Sequence, residues 1–262
     1  MINSHIILPK FLLKNFEIDH FFWYYDINGD FIAKGNAGSF NTEKGYYSDG
    51  VEQTLNSEVE TPFSNLLNEY SNSIHGDDEF ELPEADILLI NRFFYSLLSR
   101  NPQMVERVNS SSVFYQFLEK TDQHGYAAIA GIGEGERINP FKEYDVTFFI
   151  NRTDIPFVLP NCGIYNLNLR GSPAIVFPVS PDVLFVLWKD MVVEKEGTIE
   201  VPRGLIAEET VIKRMNIFAL KQQVSMNGGG RIICSQKEEL ERLKEEYNQD
   251  VTRDGTVVTS AE

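Results

Sequence analysis

Apolar and polar residues follow two rhythms along this chain. Between positions 51 and 70, Val51, Leu55, Val59, Phe63, Leu66 and Tyr70 recur every three to four residues, the spacing of one face of a helix. A long helix is therefore predicted from an N-cap at Ser48-Asp49, bent where Pro62 removes a backbone donor. Residues 71–81 read as an acidic loop. Pro83 opens a second helix through Arg100 that is apolar over most of its circumference, so it belongs deep in the core, and Asn101-Pro102 ends it. A third helix is predicted over 103–120, followed by a glycine-rich stretch over 125–135.

The second rhythm is shorter. Two β-prone segments, 20–25 and 31–34, flank Asp26-Ile27-Asn28-Gly29-Asp30, and an Asn-Gly pair between such runs predicts a hairpin. Beyond residue 145, short runs at 146–150, 157–159, 174–178, 183–188 and 199–201 read as strands between turn clusters. A helix over 208–226, a stop at Gly228-Gly229-Gly230, a strand over 231–234 and a charged helix over 236–247 complete the pattern. The fold class predicted is α+β: an N-terminal β-hairpin, central long helices, a mainly antiparallel sheet from the C-terminal half and a C-terminal helix. One domain over 1–247 is expected, with a flexible polar tail over 248–262.

Composition adds charge and compartment to this picture. Against 23 basic residues stand 39 acidic ones, a formal net charge of −16 in 262 residues, which disfavours nonspecific nucleic-acid binding and anionic lipid surfaces. The two cysteines, Cys162 and Cys234, fall in different predicted elements, so reduced thiols and a cytoplasmic location are expected. Residues 1–16 carry Pro9, Lys10 and Lys14 and lack a small-residue cleavage site, unlike a signal peptide. The longest apolar run, 87–98, is interrupted by Asn91 and Arg92 and is too short for a membrane span.

Candidate chemistry is sparse. At about 100° per residue, Glu52 falls inside the apolar arc of the first long helix, Glu58 on its flank and Glu60 nearly opposite, where solvent satisfies it. Glu52 therefore needs a partner. Arg100, at the edge of the apolar arc of the second helix, is a candidate counter-ion, and such a pair is as readily architectural as catalytic. His5 is a candidate proton carrier or metal ligand beside the apolar segment 6–16. His20, His75 and His124 are isolated, and no histidine or cysteine pair has metal-ligand spacing, so no metal or cofactor site can be assigned. Asp26, Asn28 and Asp30 start like a calcium loop, but Phe31 occupies the place of the required glycine and Ala37 that of the closing glutamate. The Gly131–Gly135 run has the wrong spacing for a dinucleotide loop, and Pro181-Asp182 with Glu194-Lys195-Glu196 sets its lysine one place early for a nuclease core.

Several of these segments, taken in order, resemble the bacterial domain-of-unknown-function 4238 family. They are His5-Ile6-Ile7-Leu8-Pro9 leading into Leu12-Leu13-Lys14-Asn15-Phe16, the aromatic hairpin, Tyr46-Tyr47-Ser48, Val51-Glu52 with Glu58 and Glu60, Arg100-Asn101-Pro102, and Val176-Phe177-Pro178-Val179-Ser180-Pro181. The likeness runs from His5 to about Leu243 and implies an uncharacterised bacterial or phage-related protein. Where such proteins usually read Phe-Ile-Thr-Ser-Asp-Asn-Pro, this chain has Phe157-Val158-Leu159-Pro160-Asn161-Cys162-Gly163. Asn161 thus stands in place of an acid, and an amide cannot act as a general base at neutral pH.

Two functions compete. The first is a non-catalytic binding or regulatory protein that engages a protein partner or a small anionic ligand. The alternative is a metal-assisted hydrolase acting on a phosphoester or nucleotide, with Glu52 and His5 binding metal or moving protons and Arg100 steadying an anion. The residues that would carry either are His5, Glu52, Arg100 and Asn161.

Overall fold

A computed structural model of the chain describes residues 3–76, 81–101, 125, 144–169, 172–188, 193–195, 198–201, 203–227 and 229–258. The helix predicted over 103–120, and the glycine-rich stretch apart from Gly125, lie outside the described residues. The order of elements is β1 (Asn3–His5), α1 (Lys10–Lys14), β2 (Phe22–Asp26), β3 (Phe31–Gly35), β4 (Thr42–Lys44), α2 (Asp49–Leu55), a π turn (Asn56–Glu60), α3 (Thr61–His75), β5 (Glu81–Pro83) and α4 (Glu84–Ser99). There follow β6 (Asp145–Asn151), β7 (Leu159–Pro160), β8 (Tyr165–Leu169), β9 (Ser172–Pro178), β10 (Val183–Trp188), β11 (Val193–Lys195), β12 (Thr198–Glu200), β13 (Arg203–Ile206), α5 (Glu209–Asn227), β14 (Arg231–Cys234) and α6 (Lys237–Val258).

A five-stranded sheet in the order β13-β6-β10-β9-β8 is antiparallel except for the β13–β6 pair, and a four-stranded sheet runs β3-β2-β14-β7. The chain is α+β, as the hydrophobic rhythm predicts. The middle strand β10 is buried at every position, and its alternating side chains divide two cores. Val183, Phe185 and Leu187 join α3, α4 and α1 on one side, whereas Leu184, Val186 and Trp188 join α5 and α6 on the other. The first core is largely aromatic: Phe63 and Phe93 stack with centroids 3.9 Å apart, and Phe93 and Phe94 both meet Phe177 of β9.

The structure departs from the sequence reading at several places: the strand expected over 157–159 is the two-residue β7, and β4, β5, β8, β11 and β13 fall where no strand was expected. The acidic loop expected from residue 71 is the last turn of α3, because Ile74 is buried in the first core and holds the helix on to His75. The C-terminal helix continues to Val258, well past the predicted end at 247. At the N-terminus the run expected only as an apolar segment is a strand, β1, paired with β4, and then the short helix α1.

The long helix is continuous from Asp49 to His75, but it is not an ideal α-helix. Pro62 has no N–H for the Glu58 carbonyl, and its ring crowds that oxygen. The chain widens just before it: residues 56–60 form a π turn, and the Thr61 N–H bonds back to the Asn56 carbonyl. One extra residue in a turn rotates all later positions by about 100° relative to an ideal helix.

Candidate functional site

That rotation corrects the reading of the glutamates. Glu60 is not on the solvent side: its Oε1 lies 2.7 Å from Nη2 of Arg100, at the end of α4. Arg100 is 1% exposed. Its Nη1 donates to the Ile7 carbonyl at 3.3 Å, and its Nε meets no acceptor among the described residues. The Nη2 contact is one of charge and distance rather than a well-aligned hydrogen bond.

Glu52 is half-buried one turn before the π turn, and its charge also acts on Arg100. Burial alone would lower the pKa of the guanidinium, but Glu60, the Tyr47 hydroxyl and Glu52 outweigh it, and the net shift is upward. Tyr47, itself buried, donates to the Ile6 carbonyl at 2.8 Å, and burial pushes its phenol pKa up. Glu60, expected in solvent, thus holds Arg100 at contact distance, while Glu52, the expected partner, acts on it as a second, weaker charge. The segment between β1 and α1 supplies the carbonyls that cover both Arg100 and Tyr47. His5 belongs to β1 and pairs in register with Thr42 of β4.

Above the Arg100–Glu60 pair opens a cleft of about 290 Å³. Lys10, Phe11 and Lys14 of α1 form one wall, and Asn56, Glu60, Thr61, Ser64 and Asn65 of the π turn and α3 form the other. Lys10 and Lys14 lie one helical turn apart and are both exposed. Among the described residues neither ammonium has a carboxylate within salt-bridge reach. Across the π turn the Thr61 hydroxyl donates to Asn56 Oδ1 at 2.9 Å, which leaves the Asn56 amide nitrogen as its open polar end. Phe11 is fixed beside the lysines by tilted contacts with Phe63 and Phe93.

Asn161 belongs to a second polar cluster. Its Oδ1 accepts from the Asn41 amide, and the Asn41 Oδ1 accepts from Arg231 Nη1 at 2.6 Å. Nε of Arg231 bonds Asp26 Oδ2 at 3.0 Å, and its guanidinium lies 5.3 Å from the ring centroids of Tyr24 and Phe40. Asp26, one of the residues resembling a calcium loop, is thus committed to Arg231 and to the Gly29 N–H. Glu52 and Arg100 share the first cluster and Asn161 belongs to the second, and the backbone of residues 5–7 joins the two: the Asn41 carbonyl accepts from the Ile6 N–H at 3.1 Å, next to the Ile7 carbonyl that meets Arg100.

His75, which looks isolated in sequence, is not. Its Nε2 lies 2.8 Å from Asp182 Oδ2 and its Nδ1 lies 2.8 Å from the Ser71 carbonyl, while the Ser180 hydroxyl donates to Asp182 Oδ1 at 2.6 Å. Both cysteines are free and fully buried, and burial drives each thiol up to about 12. Among the described residues no group of three or more His, Cys, Asp or Glu is placed to hold a metal ion, and no helix is long and apolar enough to cross a membrane.

Sequence reasoning missed Lys10, Lys14 and Asn56, and it assigned Glu60 to solvent. The signals were present: two lysines four apart on the short run before Asn15, and a proline inside a helical pattern, which distorts the turn that precedes it.

Fold and site together define an α+β protein with a polar cleft laid over a buried arginine. The chain belongs to the family described as protein of unknown function DUF4238, whose family model matches residues 3–226. That span takes in every cleft residue and Arg100 and ends within α5, before β14. No curated protein and no solved structure matches the chain.

Proposed function

We propose that this chain is a binding protein and that the cleft between α1 and the π turn takes a small anionic ligand. The observation that carries this reading is the pair Lys10 and Lys14. In a chain of net charge −16, two ammonium groups line one side of a cleft whose single carboxylate, Glu60, is already engaged by Arg100. Unpaired positive charge in a concave site draws anions, and the surrounding negative surface restricts them to small ones. Arg100 serves as the rigid support of the cleft: it fixes Glu60 from behind and ties the segment before α1 through the Ile7 carbonyl. Glu52 then acts as a second balance for that guanidinium rather than as a proton carrier.

Thermal melting in sodium chloride, acetate, sulfate and phosphate at equal ionic strength tests this. A bound anion at about a hundred times its dissociation constant adds roughly 2.7 kcal/mol, a shift of several degrees. The expected result is a rise with at least one of the polyatomic anions that disappears in Lys10→Ala/Lys14→Ala. Equal melting in all four salts overturns the reading.

A further inference from the structure

We infer that the anion is a phosphate monoester, a proposal that rests on the anion-binding reading of the cleft and narrows it to one chemical class. The lining is rich in donors. Lys10 and Lys14 bring three N–H groups each, Asn56 presents its amide nitrogen because its oxygen is taken by the Thr61 hydroxyl, and Ser64 and Asn65 add a hydroxyl and an amide. The one acidic acceptor in the wall, Glu60, is turned to Arg100.

A ligand that meets the two ammonium groups and the Asn56 amide nitrogen presents several acceptors, and it carries more than one negative charge. A phosphate monoester offers three acceptor oxygens and a charge of about −1.5 to −2 at pH 7, whereas a carboxylate offers two oxygens and one charge. Lysines four apart on one helical face lie about 5–6 Å from each other at Cβ, close enough for both flexible stems to reach one phosphate from two directions. The ester end is accounted for as well. Phe11 lies between the two lysines in sequence, is held by Phe63 and Phe93, and gives the cleft an apolar surface for the carbon skeleton of the alcohol. At about 290 Å³ the cleft suits a small phosphorylated metabolite or the phosphate end of a larger one.

Isothermal titration calorimetry of the whole chain with methyl phosphate, sulfate, malonate and acetate at pH 7.5 and constant ionic strength separates the possibilities. The expected order places methyl phosphate at least about tenfold tighter than malonate or acetate, the margin of one charge-assisted hydrogen bond. Lys14→Gln and Lys10→Gln, both at exposed positions, each weaken methyl phosphate by about tenfold while their unliganded melting stays at the parent value. If malonate or acetate binds as tightly as methyl phosphate, the phosphate assignment is wrong and the anion cleft stands. If sulfate matches methyl phosphate while the carboxylates are weak, the tetrahedral dianion is confirmed but the ester contact with Phe11 is not, and the assignment to a monoester falls. If none of the four binds, the anion-binding reading fails with it.

Discussion

Arg100 and Arg231 each hold one carboxylate, at 2.7 Å and 3.0 Å, yet they sit in opposite surroundings. Arg100 is 1% exposed and has a protein carbonyl and a glutamate for company, whereas the side chain of Arg231 is 36% exposed, faces two aromatic rings and bonds an asparagine. The same ion pair has different consequences in these two places. A buried guanidinium that loses its carboxylate becomes an uncompensated charge out of reach of water, but an accessible one is rehydrated. The contact distance says little about the energy; the surroundings decide it.

The largest expected effect is therefore at Glu60. Glu60→Gln should lower unfolding stability by about 3 kcal/mol, the low end for a broken buried pair because Glu52 still offsets part of the charge. Chemical denaturation of the parent and variant measures it, and a change below about 1 kcal/mol would mean that water already reaches Arg100.

Arg231→Ala should cost less, about 1 kcal/mol from the exposed pair and the aromatic contacts together. An effect as large as that of Glu60→Gln would break the comparison and make exposure irrelevant to both.

A third effect is confined to acid. The carboxyl pKa of Asp26 is depressed: burial works against the ionised form, but the Gly29 N–H and the Arg231 guanidinium outweigh it and hold the group below its ordinary 3.8. A depressed folded value means that the contribution is full above the unfolded pKa and is lost as pH falls through the folded one. Melting temperature should thus decline on acidification below about pH 4, and the decline should be shallower in Asp26→Asn. Parallel curves for the two proteins would remove Asp26 from the acid response.

The smallest expected effect is none at all. Cys162 and Cys234, with thiols raised to about 12 by burial, should resist a thiol reagent at pH 8 in the folded protein and react once it is unfolded. Reaction of Cys234 in the native state would show that the second core opens readily.

Regular elements were largely legible from the chain alone. The strands over 183–188 and 231–234 fall where their apolar runs and turn residues place them, and the hairpin follows its Asn-Gly pair. The site was only partly legible. Glu52 and Arg100 were found because an ideal helix projects them inward, but the same ideal step sent Glu60 outward, since a period of 3.6 has no place for the wide turn that Pro62 imposes. Partners such as His75 with Asp182, or Arg231 with Asn41, are separated by 107 and 190 positions. No local pattern links residues so far apart, because their meeting is decided by how sheets and helices pack.

The strand order β3-β2-β14-β7 has a further consequence, for the time course of synthesis. β14 follows both of its neighbours in chain order, and it pairs with β2 on one side and β7 on the other. A nascent chain that has emerged only as far as α5 holds both flanking strands with an open slot between them, and two strand edges stay unpaired until Arg231 to Cys234 arrive. The four-stranded sheet is therefore closed by a strand that is made after both of its neighbours, and the β2–β3 hairpin waits for its partner until β14 has been synthesised.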